Sequence, residues 1–461
     1  MVRMLSLCAL FASWSVPCFA QTAPATDVPP VHLILHPMAA SVPALKYQLL
    51  PELKEMNPGN AVQGFMKCFM EQQSFFFAKE SQTDRDKWNS APLTELRSQN
   101  LLHYGDKALI HADYAARLDS TDWQVLLRAR TEGYNLPMPE VQQFRMLAVA
   151  LKVRFRAEVA EGRFDDAVRT AKTMLALARS SNEYPGIIPN LIGAAIAAIT
   201  FNALEEMIQQ PGCPNLYWAL TTLPSPLIDN RKGLQGEAVF AAAEFNGLDS
   251  AAPMSTESLE KMKTHLSQVI GGSKAEQEQK QLKAWMVAQS ADAAYLQAAR
   301  SRLIASGASN ERVQNLPALQ VVLLDEKREY EVRMDEGCKW MPLTFWQAAP
   351  ALRAVNPNRK ADHMLAEMFL PPFLKLRMAQ ARSDRPIALL RQVEAIRMYA
   401  ADHDGKLPAR LEDLTVPVPI DPIHGKPFDY KIEGDSAVLR APSPVGFEAA
   451  PSLHYILTIK K

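Results

Sequence analysis

Apolar side chains recur at steps of three and four over most of this chain, and that period commits it to helices packed on helices. The clearest stretch is a pair. Phe144, Leu147, Leu151, Phe155 and Val159 line one face over 139–160. Phe164, Ala167, Val168, Ala171, Leu175 and Ala178 form the facing stripe over 164–180, where small residues allow close approach. Gly162 stands between them, at a point where a left-handed residue can end one helix and turn the chain back. The expected fold is therefore mainly α: an array or bundle of antiparallel helix pairs.

With 461 residues, 48% of them hydrophobic and 22% charged, the chain has material for a real core and for two or three domains. Lys+Arg and Asp+Glu are equal at 50 each, so no global charge steers it to nucleic acid or to an anionic membrane. The helical pattern begins near Pro43. It pauses at Asn57-Pro58-Gly59-Asn60, where Asn60 can cap the next helix. Ile187–Ala203 is apolar and rich in Ala and Gly. Pro189, Asn190 and Asn202 interrupt it and Glu205-Glu206 follow, which favours a helix buried in a bundle over a membrane span. Residues 246–256 break the pattern and mark a sub-boundary in a helical body spanning 43–380. Beyond them a single long helix is expected over 273–306, then helices over 317–337, 343–355 and 361–380.

The N-terminus reads as an export signal. Arg3 precedes the short apolar run Met4–Ala12, Pro17 breaks it, and Cys18-Phe19-Ala20 places small residues three and one before a cut ahead of Gln21. Residues 1–20 are thus expected to be removed between Ala20 and Gln21, leaving a flexible leader over 21–42 and no mature transmembrane segment. The protein is expected outside the cytoplasm, periplasmic or extracellular. Cys68, Cys213 and Cys338 remain, far apart and without a C-x-x-C pair. An oxidising compartment permits one disulfide among them, and the sequence does not choose the pair.

After Arg385-Pro386 the character changes. A helix over 386–402 carries Leu389, Val393, Ile396 and Ala400 as its stripe, and Gly405 can end it. Phe428–Ile432, Ala437–Leu439 and Leu453–Ile459 then look like strands. Residues 381–461 are expected to form a small α+β module, a helix plus a three-stranded antiparallel sheet. In Asp404-Gly405-Lys406-Leu407-Pro408, and in Pro419, Asp421-Pro422, Gly425, Pro427-Phe428 and Tyr430, this segment resembles the globular part of type II secretion pseudopilins. That resemblance makes Gly405, Asp421 and Gly425 structural turn residues. It does not extend to the polymerising membrane helix of that family, because Arg391, Glu394, Arg397 and Asp402 suit lipid badly. Nor does it carry over a calcium site, since Glu448 is the sole acid after Asp435. Through LKYQLLPELKEMNPGNA and PGCPNLYWALTTLPSPLIDNRKGLQGE the chain also resembles exported proteins of planctomycete-type bacteria, a resemblance that implies compartment and architecture but brings no activity. The turn AEGRFDDAVRTA resembles that of a tetratricopeptide repeat, without a 34-residue recurrence.

Motifs with a mechanism are missing: the sequence holds no H-E-x-x-H, G-x-S-x-G, Walker loop or G-x-G-x-x-G. His32 and His36 have a chelating interval only on a helix, which Pro37 disfavours. His103, Asp106, His111 and Asp113 read as solvated polar residues. No catalytic residue, metal or cofactor is therefore nominated. The local grouping of most interest is Asn215, Tyr217 and Trp218, with Arg231 and Glu237 downstream. Adjacent aromatics suit a recognition pocket, and the competing reading is a helix start after Pro214 with both rings in the core. The expected function is binding or scaffolding at the cell envelope, with a peptide or another envelope protein as partner. The alternative is an envelope hydrolase whose site is assembled from distant residues.

Overall fold

The computed structural model describes residues 29–99, 101–249, 252–269, 275–355, 363–443 and 452–460. It is mainly α-helical, with a small strand module at the C-terminal end. At its centre lie α1 (Pro139–Ala160), α2 (Phe164–Asn182) and α3 (Ile187–Ile208). Proline at the first turn starts α1, where its missing N–H costs nothing. Gly162, with φ +71°, turns the chain into α2. The predicted stripes meet: Phe144, Leu147, Leu151 and Phe155 are fully buried with Ala167, Ala171 and Leu175 in the same core. Helix α3 packs closely on α2, since a Cβ on Gly193 would lie 2.7 Å from the carbonyl oxygen of Ala178. By length and composition α3 is apolar enough to cross a membrane, with mean hydropathy 1.8, yet 61% of that window is buried inside the protein.

Downstream come α4 (Ala293–Ala305), α5 (Asn310–Asn315), α6 (Ala318–Cys338), α7 (Met364–Phe369) and α8 (Phe373–Asp402). Two expectations change here. The single helix over 273–306 is two, Ala275–Ala291 and α4, because the Asp292 carboxylate accepts the N–H groups of Ala294 and Tyr295 and caps a new helix. The helix over 361–380 is also divided. Pro371 and Pro372 separate α7 from α8, and α8 then runs unbroken through Pro386 to Asp402. The expected limit between residues 380 and 381 thus falls inside one continuous helix.

The four-stranded sheet, larger than two two-stranded ones, contains β1 (Val31–Leu35), β2 (Asp429–Glu433), β3 (Ser436–Ala441) and β4 (Leu453–Ile459), in the order β1-β4-β3-β2. The three C-terminal strands are antiparallel, as expected. A fourth joins them: β1 runs parallel to β4, from Val31 opposite Tyr455 to Leu35 opposite Ile459. The described part of the expected flexible leader is therefore an ordered strand between residues 31 and 35. The reason is alternation. Leu33 and Leu35 are buried with Leu439 and Leu457 in the core that also holds Leu389, Val393 and Ile396 of α8. That core is continuous with α1–α3.

The segment after β1 is fixed by a buried ion pair. Arg397 and Glu394 are 2.9 Å apart with both side chains 0% exposed. The same guanidinium donates to the carbonyls of His36 (3.0 Å) and Cys213 (2.8 Å). The turn residues behave as their chemistry requires. Gly405 has φ +76° and its N–H reaches the carbonyl of Ala400 at 2.8 Å, closing α8. Asp421 is buried, accepts the N–H of Ile423 and pairs with Arg385 at 2.8 Å. Gly425, with φ +69°, lies under the ring of Trp346. Cys68, Cys213 and Cys338 are free thiols, and burial pushes the first two up to about 12 and the third to about 11.

Candidate groove on helix α6

Helix α6 carries two chemically different faces. One face turns inward with charge on it. Asp325 and Glu326 are both fully buried and diverge to different partners. Asp325 accepts two bonds from Arg302 of α4, at 2.9 and 2.6 Å. Glu326 accepts from His363 at 2.7 Å and from the N–H groups of Leu365 and Ala366 at 2.8 and 2.9 Å. Those amides belong to the first turn of α7, which has no partner of its own for them, so a carboxylate from another helix closes it. Burial raises the Glu326 pKa against the opposing pull of His363. For His363, burial works downward but the bond to Glu326 outweighs it, and its pKa is raised. Two turns further, Arg333 joins Glu329 at 2.6 Å to Glu367 of α7. The helix is thereby held to α4 on one side and α7 on the other.

The opposite face opens to solvent. Leu324, Lys327, Arg328, Glu331, Val332 and Asp335 follow one another at helical steps along one wall of a groove of about 410 Å³. The end of α4, part of α5 and the residues around them form the other wall, with Leu303, Ser306, Arg312, Val313 and Leu316. Beneath it Leu303, Val313, Leu316 and Val321 make a small core of their own. The rim is charged with both signs. Lys327 is neutralised in place, by Asp249 at 2.8 Å and Glu331 at 3.0 Å. Volume and lining suit a ligand held by a few polar anchors over an apolar floor.

Of the residues singled out from the sequence, Asn215, Tyr217 and Trp218 come together away from this groove, while Arg231 and Glu237 engage other partners. Asn215 is a buried bracket: its amide donates to the carbonyls of Glu394 (2.9 Å) and Met38 (3.3 Å), and its oxygen accepts the N–H of Tyr217. Tyr217 is fully buried and donates to the carbonyl of Pro417 at 2.8 Å. Trp218 is half-buried, edge-on to it, and the Arg391 guanidinium lies over the Tyr217 ring at 5.4 Å. Arg231 is exposed and paired with Asp229 at 2.7 Å. Glu237 accepts the N–H of Ile187 at 3.0 Å, at the start of α3. Ala20 and Gln21 lie outside the described residues. The histidines and acids over 103–113 separate into His103–Asp106 (2.8 Å), His111–Glu71 (2.7 Å) and Asp113–Arg154 (2.8 Å). Among the described residues, no group of three or more His, Cys, Asp or Glu is placed to hold a metal ion.

The groove was missed in the sequence because its wall reads as a solvated face: EKREYEVRMDE alternates charges at intervals that suit i,i+4 pairs. Only the paired acids Asp325-Glu326 directly after Leu323-Leu324 hinted that one side of this helix is not ordinary surface. Fold and site together define a mainly α-helical protein with a charged groove on one flank of a helix pinned from behind. Set against protein-family models, curated proteins and solved structures, the chain matches none.

Proposed function

We propose that this chain is an exported binding or scaffolding protein of the cell envelope, holding a polypeptide partner in the α4–α6 groove. The observation that carries the reading is the groove itself: an open cleft of about 410 Å³ with a mixed-charge rim and a wall immobilised by buried pairs. A site fixed by a second layer of bonds is organised before its ligand arrives, which lowers the ordering cost of binding. Export rests on Arg3, the apolar run Met4–Ala12 and the small residues before Gln21. The pseudopilin-like turn residues Gly405, Asp421 and Gly425 agree with an envelope setting. N-terminal sequencing of the exported protein should begin at Gln21, and a sequence starting at Met1 would refute export by this signal.

The binding site is tested in cells with a photo-crosslinking residue at Val332, which is 50% exposed on the groove wall, and at Leu127, 76% exposed on the separate helix Leu126–Glu132. A discrete adduct from position 332 alone is expected. No adduct from 332, or the same adducts from both, overturns the groove as the binding site. One observation favours the runner-up, an envelope hydrolase: the buried His363–Glu326 pair has the form of an oriented general base. That reading requires His363→Gln to abolish a hydrolytic activity that substitution of Val332 leaves intact.

A further inference from the structure

We infer that two copies of this chain join through the free edge of β2, antiparallel, with Tyr430 of one opposite Tyr430 of the other. Strand β2 is last in the sheet order and has β3 as its one neighbour in the sheet. Asp429, Lys431, Ile432 and Glu433 are exposed along it, and Tyr430 is half-buried. Gly434-Asp435 make a two-residue turn, so Glu433 and Ser436 bond to each other's backbone. Alternation then turns the N–H and C=O groups of Asp429 and Lys431 toward β3, and those of Tyr430 and Ile432 outward. Among the described residues these outward groups meet no backbone partner. Such an edge is a template for one more strand.

The charges select the occupant and its register. Asp429, Lys431 and Glu433 lie on the outer face of the sheet, with Arg440 of β3 beside Asp429. Tyr430 and Ile432 lie on the other face, beside the buried Leu439 and Ala437. Lys431 and Glu433 of one chain are 3.4 Å apart, and Arg440 meets His454 at 3.4 Å. Asp429 has no ion-pair partner among the described residues. Two such edges bond only when the outward residues of one meet the outward residues of the other, so the two-fold axis passes through a residue and not between two. Centring the pair on Asp429, Lys431 or Glu433 sets a charge against its own copy. Centring it on Ile432 sets Asp429 against Asp435. Centring it on Tyr430 sets Asp429 against the partner's Lys431, and Lys431 against the partner's Asp429, while Glu433 meets Pro427. These ion pairs occupy the closer kind of cross-strand position, with Cα atoms about 4.5 Å apart. Ile432, 37% exposed in one copy, falls opposite Phe428 and is covered. Charged edges ordinarily keep strands apart. Here they oppose the other registers and leave this one complementary.

The test is sedimentation velocity of the mature chain over about 1–100 μM, where a monomer–dimer equilibrium is expected. Lys431→Asp and Asp429→Lys, each alone, put two like-charged pairs into the contact and should each weaken dimerisation at least tenfold. Mixed in equal amounts, the two variants regain both opposite pairs and should form a heterodimer as tight as the original dimer. Ile432→Pro removes an outward N–H and spares the bonds to β3. It should give a monomer whose circular dichroism and thermal melt are unchanged. A monomer at every concentration overturns the inference. So does a dimer that survives these substitutions, or a failure of the two charge variants to pair when mixed.

Discussion

At the scale of single residues, the sequence was most readable where chemistry is local. Gly405, Asp421 and Gly425 take the turn roles their neighbours demand, because a positive φ or a side chain closing on its own backbone is decided within a few residues. Buried charge was not readable, because what buries it comes from elements far away in the sequence. Glu158 shows the consequence. It sits in α1 with its side chain 12% exposed and accepts a bond from Thr170 at 2.7 Å. The nearest cation, Arg154, is 3.9 Å away and committed to Asp113 by two bonds of 2.9 and 2.8 Å. Burial therefore dominates and pushes the Glu158 carboxyl up to about 7. The sign follows: between the ordinary carboxyl value of 4.5 and 7 the folded state holds a proton that the unfolded chain releases. Stability from this group is full below 4.5, is lost as pH rises to about 7, and stays lost above. Glu158→Gln, which keeps an acceptor for Thr170, should leave stability at pH 4 nearly unchanged. At pH 8 it should raise stability by about 1–3 kcal/mol. Urea unfolding at the two pH values measures this, and equal effects at both would show that the carboxyl is not held protonated.

At the scale of elements, periodicity located helices well and their ends less well. The pair α1–α2 was plain because its stripes and the Gly162 turn agree. The break at Asp292 was missed although its cap is local, and the continuity of α8 through Pro386 was not plain, since a tolerated proline depends on what packs around it. Strand β1 was legible as an extended segment, but its pairing with a strand more than 400 residues later was beyond any local pattern. What holds the chain after β1 in place is Arg397, which serves Glu394, His36 and Cys213 at once. Arg397→Gln should cost about 3–5 kcal/mol, because it leaves Glu394 buried without its countercharge. The double change Arg397→Leu with Glu394→Leu should recover part of that loss, since no lone charge is then buried. Hydrogen exchange should show the difference in place: the amides of Val31–Leu35 lose protection in the single variant before those of α1 do. Uniform loss across the chain would mean that the pair is not specific to this attachment.

At the scale of the whole molecule, the two ends of the described chain meet in one sheet, and that changes what a piece of it can do. The sequence suggests a module over 381–461 that stands alone. Three features of the structure argue against independence. A cut at 381 severs α8 within a single helix. The strand that covers the open edge of β4 comes from residues 31–35. The buried residues of α8, Leu389, Val393 and Ile396 among them, share a core with Phe201 and Leu204 of α3, which the fragment lacks. A piece of this size has little apolar area to lose before ordering becomes unfavourable. The isolated 381–461 fragment should therefore show a disordered circular dichroism spectrum and no cooperative melt. Cutting between Leu370 and Pro371 instead leaves α8 whole, at a point where two prolines already interrupt the helices. Residues 29–370 and 371–461, co-expressed as separate chains, should then co-purify as a one-to-one complex and melt together. Arg397→Gln in the second piece should weaken that association, because it removes the bonds to His36 and Cys213 of the first. A cooperative melt from 381–461 alone, or failure of the two longer pieces to associate, would show that the module folds independently of the helical body.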